Sequence, residues 1–466
     1  MSNPAIGAIG GALPSSRPDS SVALSHQVSF DAALDEARTS VSKTSAPKKT
    51  FAYANTPIHQ RPISEPEPDH TTVLPEGSDP SVVSSWWGTL STETRQDLIA
   101  NHTDELGKLR GLPAEDIDKI NRKRVNLDIA RDQERLWEIP NEIQALKNAM
   151  PSGEAGRDGV NYQEKIRALK DEQSRLRGEL SIAKKIHIQM EMLDSQGGSE
   201  AYLLTYDPAD DGRFAVALGN PDTAHNIGVL VPGVSHDAKK EDGIGSQFPT
   251  VTQGLSLFHQ MNFEGQPNAK NSIIVWMGAD MPDNIPAGIN GTYGDSRHGA
   301  QALKEDVTGY EVARTNPHSH ITLIGHSYGS YMASVAIHEN GLRVDDLVVV
   351  GSPGVDGTNA TELGSQGHVW AARAKGDDVV PQGWLADSEP TDRNFGAITF
   401  SAEGAEGHGA YLDNGTQSLV NIARIATGKT GDVVTRVPDE YGTIFFKDNA
   451  DTTRQWKTSQ VFQALK

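Results

Sequence analysis

A serine held between two glycines is the feature of this chain best suited to chemistry. The pentapeptide Gly-His-Ser-Tyr-Gly at 325–329 follows the apolar run 321–324 and leads into small residues that can form a helix. On a strand-to-helix turn of this kind the serine hydroxyl stands clear of the sheet, and backbone amides face a developing oxyanion. We therefore predict that Ser327 is a nucleophile and that the amide of Tyr328 is one oxyanion donor.

His408 is the histidine best placed to act as the base. A serine hydroxyl is a weak nucleophile at neutral pH unless a histidine, itself held by a carboxylate, takes its proton. The partners should follow in the order serine, acid, histidine, each on a loop after a strand. His408 meets that condition because it follows the apolar run 397–400. His338 lies on the helix that leaves the turn, and His368 precedes its strand, so both are less suitable.

Two adjacent acids compete for the third position. Asp377 and Asp378 both follow the apolar run 369–372, at the edge where parallel sheets build their sites. Asp377 is preferred because it comes directly after a glycine and stands four residues before Pro381. Three further acids near the preceding strand remain as alternatives: Asp345, Asp346 and Asp356.

The second oxyanion donor is expected on the loop after an early buried strand. That strand ends in Pro-Gly-Val at 232–234, where Gly233 allows close approach and Val234 offers its amide. A loop rich in Gly, Asn and Asp follows another strand and carries Met281 and Tyr293. We assign these two side chains, together with Gly233, to the substrate cleft. The segment 235–251 is a second candidate for the rim or lid of the cleft. Because neither this segment nor the loop 281–297 supplies a fixed cation for a phosphate or carboxylate, an uncharged acyl ester is the expected substrate.

The elements that position these residues begin at about residue 196. Short apolar runs alternate with helical stretches, and an Asp-Gly pair at 211–212 indicates a hairpin between the first two strands. Continuous apolar strands separated by helices predict an α/β fold with a mostly parallel sheet flanked by helices. The six apolar runs are 227–231, 273–277, 321–324, 347–350, 369–372 and 397–400.

Four regions follow from the changes in composition. Residues 1–78 are rich in Ser and Pro and are predicted to be disordered. Residues 79–195 carry apolar stripes at helical spacing on both sides of a Gly/Pro break, which predicts an antiparallel helical hairpin. The catalytic domain should occupy 196–430, and 431–466 form a C-terminal tail.

At these motifs the chain resembles the α/β-hydrolase superfamily, and in particular an actinobacterial branch catalogued as a domain of unknown function. The resemblance covers about residues 80–430. It rests on Val-Pro-Gly after the early strand, Trp-Met-Gly-Ala-Asp-Met-Pro, Gly-His-Ser-Tyr-Gly, Gly-Ser-Pro-Gly, Gly-Asp, and Gly-His-x-x-Tyr. It implies lipase- or esterase-like serine hydrolase chemistry, with Ser327, Asp377 and His408 in the triad positions. Gly409 departs from the family, which often carries serine there.

The amino-acid composition argues against some classes of binding partner and cofactor but does not decide where in or outside the cell the protein works. The chain has 42 Lys and Arg against 62 Asp and Glu, a net charge of −20, which argues against nucleic-acid binding. It has no cysteine, so thiolate metal sites are excluded, and we expect no cofactor. No apolar run is long enough to span a bilayer, and the N-terminus is not an ordinary signal peptide, so a cytoplasmic and an exported protein both remain open.

The expected partner is a small-molecule or lipid ester, cleaved through an acyl-enzyme. Two alternatives remain. The same triad could serve acyl transfer or peptide cleavage, or the domain could be a non-catalytic scaffold whose N-terminal helical region binds a protein partner.

Overall fold

The computed structural model describes most of the chain beyond residue 78. All described residues belong to one compact unit, Arg61–Lys466. The arm predicted to be disordered, 1–78, lies outside the described residues except for Pro75, as does much of the predicted tail. The described residues are 75, 79–150, 157–195, 200–234, 248–281, 289–364, 367–377, 386, 388–436, 444–447 and 453–456.

The core of the unit is an eight-stranded sheet. Its strands are arranged in the order β1-β2-β4-β3-β5-β6-β7-β8. The pairs β1–β2 and β2–β4 are antiparallel, and every pair from β4 to β8 is parallel, which confirms the predicted mostly parallel sheet. The strands are β1 Ala201–Asp207, β2 Arg213–Leu218, β3 Asn226–Val231, β4 Asn271–Met277, β5 His320–His326, β6 Asp346–Val350, β7 Val369–Ala372 and β8 Ile398–Thr399. Two further strands, β9 Ile444–Lys447 and β10 Thr453–Trp456, form a separate two-stranded antiparallel sheet.

Helices flank the sheet and precede it. None of the described helices is both long and apolar enough to cross a membrane. The helices are α1 Pro80–Thr89, α2 Thr92–Asn101, α3 Thr103–Leu106, α4 Ala114–Ala149, α5 Arg157–Ser195, α6 Pro249–Glu264, α7 Ile289–Ala313, α8 Tyr328–His338, α9 Ala360–Leu363 and α10 Gln417–Ala426.

Local sequence signals account for several element ends. The side chain of Ser91 caps α2 by accepting a hydrogen bond from the amide of Thr94 at 3.1 Å. The turn between β1 and β2 is a hairpin, as the Asp-Gly pair predicted. It places Asp210 at φ 57° and Gly212 at φ 79°, a region that glycine adopts without strain.

The long helices α4 and α5 run antiparallel. Arg122 near the start of α4 pairs with Asp194 at the end of α5, at 2.8 Å, and Arg135 pairs with Glu172 at 2.7 Å. A residue further along α4 therefore pairs with a residue nearer the start of α5, which is the arrangement of an antiparallel helical hairpin. Their distal halves bury a small apolar cluster made of Ile139, Ile143, Ile166 and Leu176.

The beginning of the helical region shares its core with the sheet. Trp87 and Ile120 are fully buried in the same apolar cluster as Ile274 of β4 and Leu323 of β5. Polar contacts bind α4 to β1 as well, since the side chain of Asn121 donates to the Leu203 carbonyl at 3.0 Å. The helical region therefore covers apolar surface that the sheet cannot expose to water without losing stability.

One element differs from the sequence prediction. The glycine-rich segment 281–297 was predicted as a loop, but α7 begins at Ile289 within it. Glycine and asparagine have low helix propensity, which is the reason for predicting a loop, but tertiary context often overrides propensity. Residues 282–288 of the segment lie outside the described residues.

A buried acid joins the helical region to the sheet. Asp222, in the loop between β2 and β3, accepts a hydrogen bond from the amide of Ala114, the first residue of α4, at 2.7 Å. It also lines a cavity of about 410 Å³ between the two parts, together with Arg110 and Asp306. Burial raises the pKa of Asp222 to about 6, and the hydrogen bond from Ala114 only partly offsets this effect.

We expect Asp222 to make the stability of the protein dependent on pH. A carboxyl group whose pKa is raised by folding contributes stability below its unfolded pKa, about 4, and loses that contribution as the pH rises through about 6. Asp222→Asn keeps an acceptor for Ala114 without a charge. Its free energy of unfolding in urea should exceed that of the wild type at pH 8, by about 3 kcal/mol at most.

The difference should nearly vanish at pH 4, where the wild-type carboxyl is largely protonated in the folded protein. Glu134→Gln, which removes an exposed carboxylate from α4, is the matched control and should show no such change. An Asp222→Asn effect of equal size at both pH values would contradict the prediction.

Candidate active site

Ser327 occupies the sharp turn between β5 and α8. Its backbone has φ 54° and ψ −129°, a strained conformation for a residue with a side chain. The flanking glycines are required by close contacts. A Cβ on Gly325 would lie 2.5 Å from Cα of Ser330, and one on Gly329 would lie 2.3 Å from the carbonyl oxygen of Val231. The amide of Ser327 donates to the carbonyl of Val350 in β6 at 3.0 Å, so the turn is fastened to the neighbouring strand.

The structure brings Ser327, His408 and Asp377 into one chain of contacts. Nε2 of His408 lies 2.7 Å from Oγ of Ser327, and Nδ1 of His408 lies 2.8 Å from Oδ1 of Asp377. A carboxylate can only accept, so Nδ1 carries the proton in the neutral imidazole and Nε2 is left to accept from the serine hydroxyl. The arrangement can therefore remove the proton from Ser327.

Asp377 is held as a carboxylate in a buried position. Its side chain is 1% exposed, and Oδ2 accepts a hydrogen bond from the hydroxyl of Tyr411 at 2.6 Å. Burial acts to raise the pKa of Asp377, but the hydrogen bonds from His408 and Tyr411, with the positive charge of Arg373, outweigh it and leave the pKa below its ordinary value. Asp377 is therefore negatively charged throughout the neutral range.

The loops that carry the acid and the histidine are joined to each other. The amide of Gly407 donates to the carbonyl of Lys375 at 2.8 Å. At the end of β6, Gly351 has φ 57°, and a Cβ there would lie 2.9 Å from Oδ2 of Asp377 and 3.2 Å from Cε1 of His408. A larger residue at this position would push the two side chains away from their present contacts.

The loop predicted to supply the second oxyanion donor lies directly against the serine. A Cβ on Gly233 would lie 2.8 Å from Cβ and 3.1 Å from Oγ of Ser327. Val234 is the next residue and is partly buried. Tyr328 is the first residue of α8, where helix amides and the helix dipole favour negative charge, and its side chain is buried in contact with Ser296.

The residues assigned to the cleft have different positions. Met281 is 1% exposed and packs in the main apolar core. Its side chain is therefore not exposed at the rim of a substrate cleft in this structure. Tyr293 lies in α7, but its side chain is outside the described residues.

The alternative acids have other partners or lie outside the described residues. Asp378 falls outside them. Asp345 accepts a hydrogen bond from the amide of Ile321, which lies near the start of β5, whereas Ser327 follows the end of that strand. Asp346 accepts from Nε1 of Trp370. The last alternative, Asp356, pairs with His338 at 2.8 Å.

Two side chains that contact the site received no role from sequence reasoning. Tyr411 bridges Asp377 to the backbone, because its hydroxyl also accepts from the amide of Ala374 at 2.8 Å. His326, next to Ser327, has its Nε2 2.7 Å from the carbonyl oxygen of His408. Both are part of motifs noted in the sequence, but their contacts join residues 34 to 82 positions apart in the chain, and such contacts have no local signal.

The described residues contain no group of three or more His, Asp or Glu side chains arranged to hold a metal ion. The chemistry available from the contacts above is proton transfer from a serine hydroxyl to an imidazole, next to backbone amides that can stabilise an oxyanion.

Comparison with known families identifies the family of the domain that contains Ser327. A family model described as alpha/beta hydrolase matches residues 207–386, which include the serine turn and the loop after β7. The chain belongs to the alpha/beta hydrolase family, and the family and the fold together support a hydrolase.

Related sequences come from mycobacteria. An uncharacterized protein of Mycobacterium tuberculosis is 29% identical over 404 residues, 79% of this chain and 58% of that protein. The chain thus spans less than two thirds of that relative's length. An uncharacterized protein of Mycobacterium bovis is 31% identical over 205 residues, 41% of this chain and 73% of that protein.

Solved structures with a similar fold include two esterases. A thermostable esterase from Pseudomonas putida is 12% identical, covers 59% of this chain and 97% of its own, and has a TM-score of 0.29. Carboxyl esterase 2 from the fungus Tuber melanosporum is 9% identical, covers 52% of this chain and 98% of its own, and has a TM-score of 0.32.

Proposed function

We propose that the protein is a serine hydrolase that cleaves carboxylic esters through an acyl-enzyme intermediate. One observation carries the proposal. Oγ of Ser327 lies 2.7 Å from Nε2 of His408, whose Nδ1 lies 2.8 Å from the buried carboxylate of Asp377. These contacts supply the three groups that ester cleavage by serine requires, namely a nucleophile, a base and a carboxylate that orients the base.

Acylation follows directly from this arrangement. Oγ of Ser327 attacks the ester carbonyl carbon while Nε2 of His408 takes the hydroxyl proton. Asp377 stays ionised and stabilises the imidazolium through Nδ1. The amides of Tyr328 and Val234 bind the oxyanion of the tetrahedral intermediate. Its collapse expels the alcohol, which receives the proton from Nε2 of His408 and leaves an acyl group on Ser327.

Deacylation repeats the same steps with water. His408 takes a proton from the attacking water, a second tetrahedral intermediate forms at the acyl carbon, and Ser327 leaves with that proton. The acid is the second product, and the enzyme is restored. In this proposal Gly233, Met281 and Tyr293 belong to the cleft that holds an uncharged small-molecule or lipid ester.

A fluorophosphonate probe tests the proposal directly. The probe is expected to phosphonylate Oγ of Ser327, because an activated serine displaces fluoride whereas ordinary serines do not. Digestion and mass spectrometry should then place the modification on the peptide that contains 325–329. Heat-denatured protein is the control and should remain unlabelled. If the folded protein is not labelled, or is labelled only elsewhere, the proposal is wrong.

Transfer of the acyl group to an alcohol is a second candidate for the same site. The acyl-enzyme can react with any nucleophile that reaches it. Nε2 of His408, 2.7 Å from Oγ of Ser327, can take a proton from an alcohol as well as from water. Product analysis in the presence of added glycerol distinguishes the two. Hydrolysis gives the free acid throughout, whereas a transferase gives a glycerol ester as its main product.

A further inference from the structure

His326, the residue immediately before the nucleophile, makes a specific contact with the backbone of His408. Its Nε2 lies 2.7 Å from the carbonyl oxygen of His408, and the two imidazole rings lie 4.9 Å apart between centroids. A carbonyl can only accept, so Nε2 of His326 is the donor. At this length the contact is a well-formed hydrogen bond.

The loop that carries His408 has little local support of its own. His408 stands between Gly407, at φ 74°, and Gly409. A Cβ added to either glycine would meet no heavy atom within 4 Å, so the backbone on both sides borders open space. Glycines on both sides also give the chain more conformational freedom than other residues would. The position of His408 must therefore be set by contacts from other segments.

Among the described residues, three hydrogen bonds join the backbone of 407–409 to other segments, and one of the three comes from the serine turn. The amide of Gly407 donates to Lys375, and the carbonyl of Gly409 accepts from the side chain of Gln253 at 3.2 Å. The contact from His326 differs because the next residue in the chain is Ser327. It fixes the backbone of His408 relative to the nucleophile itself.

We propose that His326 is a positioning residue that sets the distance between Oγ of Ser327 and Nε2 of His408. This inference rests on the proposed function, in which that distance governs proton transfer. Asp377 orients the ring of His408 through Nδ1, and His326 holds the main chain of the same residue. Together they restrain the imidazole at both its side chain and its backbone.

The matched variants are His326→Leu and His326→Gln. Leucine fills similar space without a donor, whereas the amide nitrogen of glutamine can reach the position of Nε2 and donate. With p-nitrophenyl butyrate we expect His326→Leu to lower kcat by about 10- to 100-fold with little change in KM, because small displacements of reacting groups have effects of this order. His326→Gln should recover most of the lost kcat.

An unchanged kcat in His326→Leu would overturn the proposal. So would a His326→Gln variant as slow as the leucine variant, since ring packing and not the hydrogen bond would then be responsible. Thermal unfolding of both variants confirms that they are folded. If His326→Leu does not fold, His326→Asn takes its place, because its amide is too short to reach the carbonyl of His408.

A spectroscopic measurement separates this inference from the proposed function. With nitrogen-15 histidine, the Nδ1 proton of His408 that is bonded to Asp377 should give a downfield resonance in the wild type and in His326→Gln. Loss or broadening of this signal in His326→Leu supports the positioning role even if no ester is turned over. Absence of fluorophosphonate labelling in the wild type would reject the proposed function alone. A signal unchanged in His326→Leu would reject the positioning role alone.

Discussion

Ser327→Ala should lower the kcat for p-nitrophenyl butyrate by on the order of 10⁶-fold, the loss expected when the nucleophile of a catalytic triad is removed. The variant keeps His408 and Asp377 but leaves no atom to form the acyl-enzyme. Residual turnover would come only from binding and the oxyanion amides. Alanine tolerates φ 54° no worse than serine, so the turn should fold as before.

Ser334→Ala is the matched control for this experiment. Ser334 is a buried serine on the same helix, α8, and its hydroxyl donates to the carbonyl of Tyr331. It makes no described contact with Ser327 or His408, so its removal should leave kcat close to that of the wild type. If Ser327→Ala turned over the ester at the wild-type rate, a different group would be the nucleophile and the proposed function would be wrong.

Asp377→Asn has the second-largest expected effect, a fall in kcat of about 10⁴-fold. The reason is the tautomer of His408. Nε2 can take a proton from Ser327 only when the single proton of the neutral ring is on Nδ1. An asparagine that presents its NH₂ group to Nδ1 forces the ring proton onto Nε2, and His408 then cannot act as the base.

Tyr411 determines which way the asparagine would turn. Its hydroxyl already accepts from the amide of Ala374 and donates to Oδ2 of Asp377. An NH₂ group in place of Oδ2 would leave the Tyr411 proton without its present acceptor. The amide oxygen should therefore face Tyr411, which turns the NH₂ group toward His408 and selects the inactive tautomer.

Two variants test this reasoning. Asp378→Asn, the change at the competing acid, should retain most of the activity if Asp377 is the partner of His408. In the double variant Asp377→Asn, Tyr411→Phe the amide is free to turn its oxygen toward His408, so kcat should exceed that of Asp377→Asn alone. A large loss in Asp378→Asn with none in Asp377→Asn would reverse the assignment. No recovery in the double variant would contradict the role given to Tyr411.

The sheet was predictable because each of its strands leaves a local pattern. Runs such as 273–277 and 347–350 are apolar at every position, and the structure buries β4 and β6 throughout. A strand covered by helices on both faces has no side from which water would select polar residues. The extent of α7 was not predictable in the same way, because its first turns have low intrinsic helix propensity and no apolar stripe.

The relation between the helical region and the sheet also required the tertiary structure. The apolar stripes of 79–195 predict helices, but a stripe shows only that a face is buried and not what covers it. The structure shows that Trp87 and Ile120 pack in the core of the sheet, whereas the distal half of the hairpin buries its apolar residues within itself. The apolar stripe in the sequence is the same whether the helix packs against the sheet or against the other helix of the hairpin.

The α/β class, the strand-to-helix turn around Ser327, and the loops after β7 and β8 that carry an acid and a histidine could all be predicted from the amino-acid sequence. These features are local, because glycine spacing, apolar runs and chain order are properties of short segments. The three-dimensional structure was needed to show three contacts: Oγ of Ser327 with Nε2 of His408, the hydroxyl of Tyr411 with Asp377, and Nε2 of His326 with the carbonyl oxygen of His408. Such contacts join segments far apart in the chain, and they depend on strand order, twist and packing, which no short segment encodes.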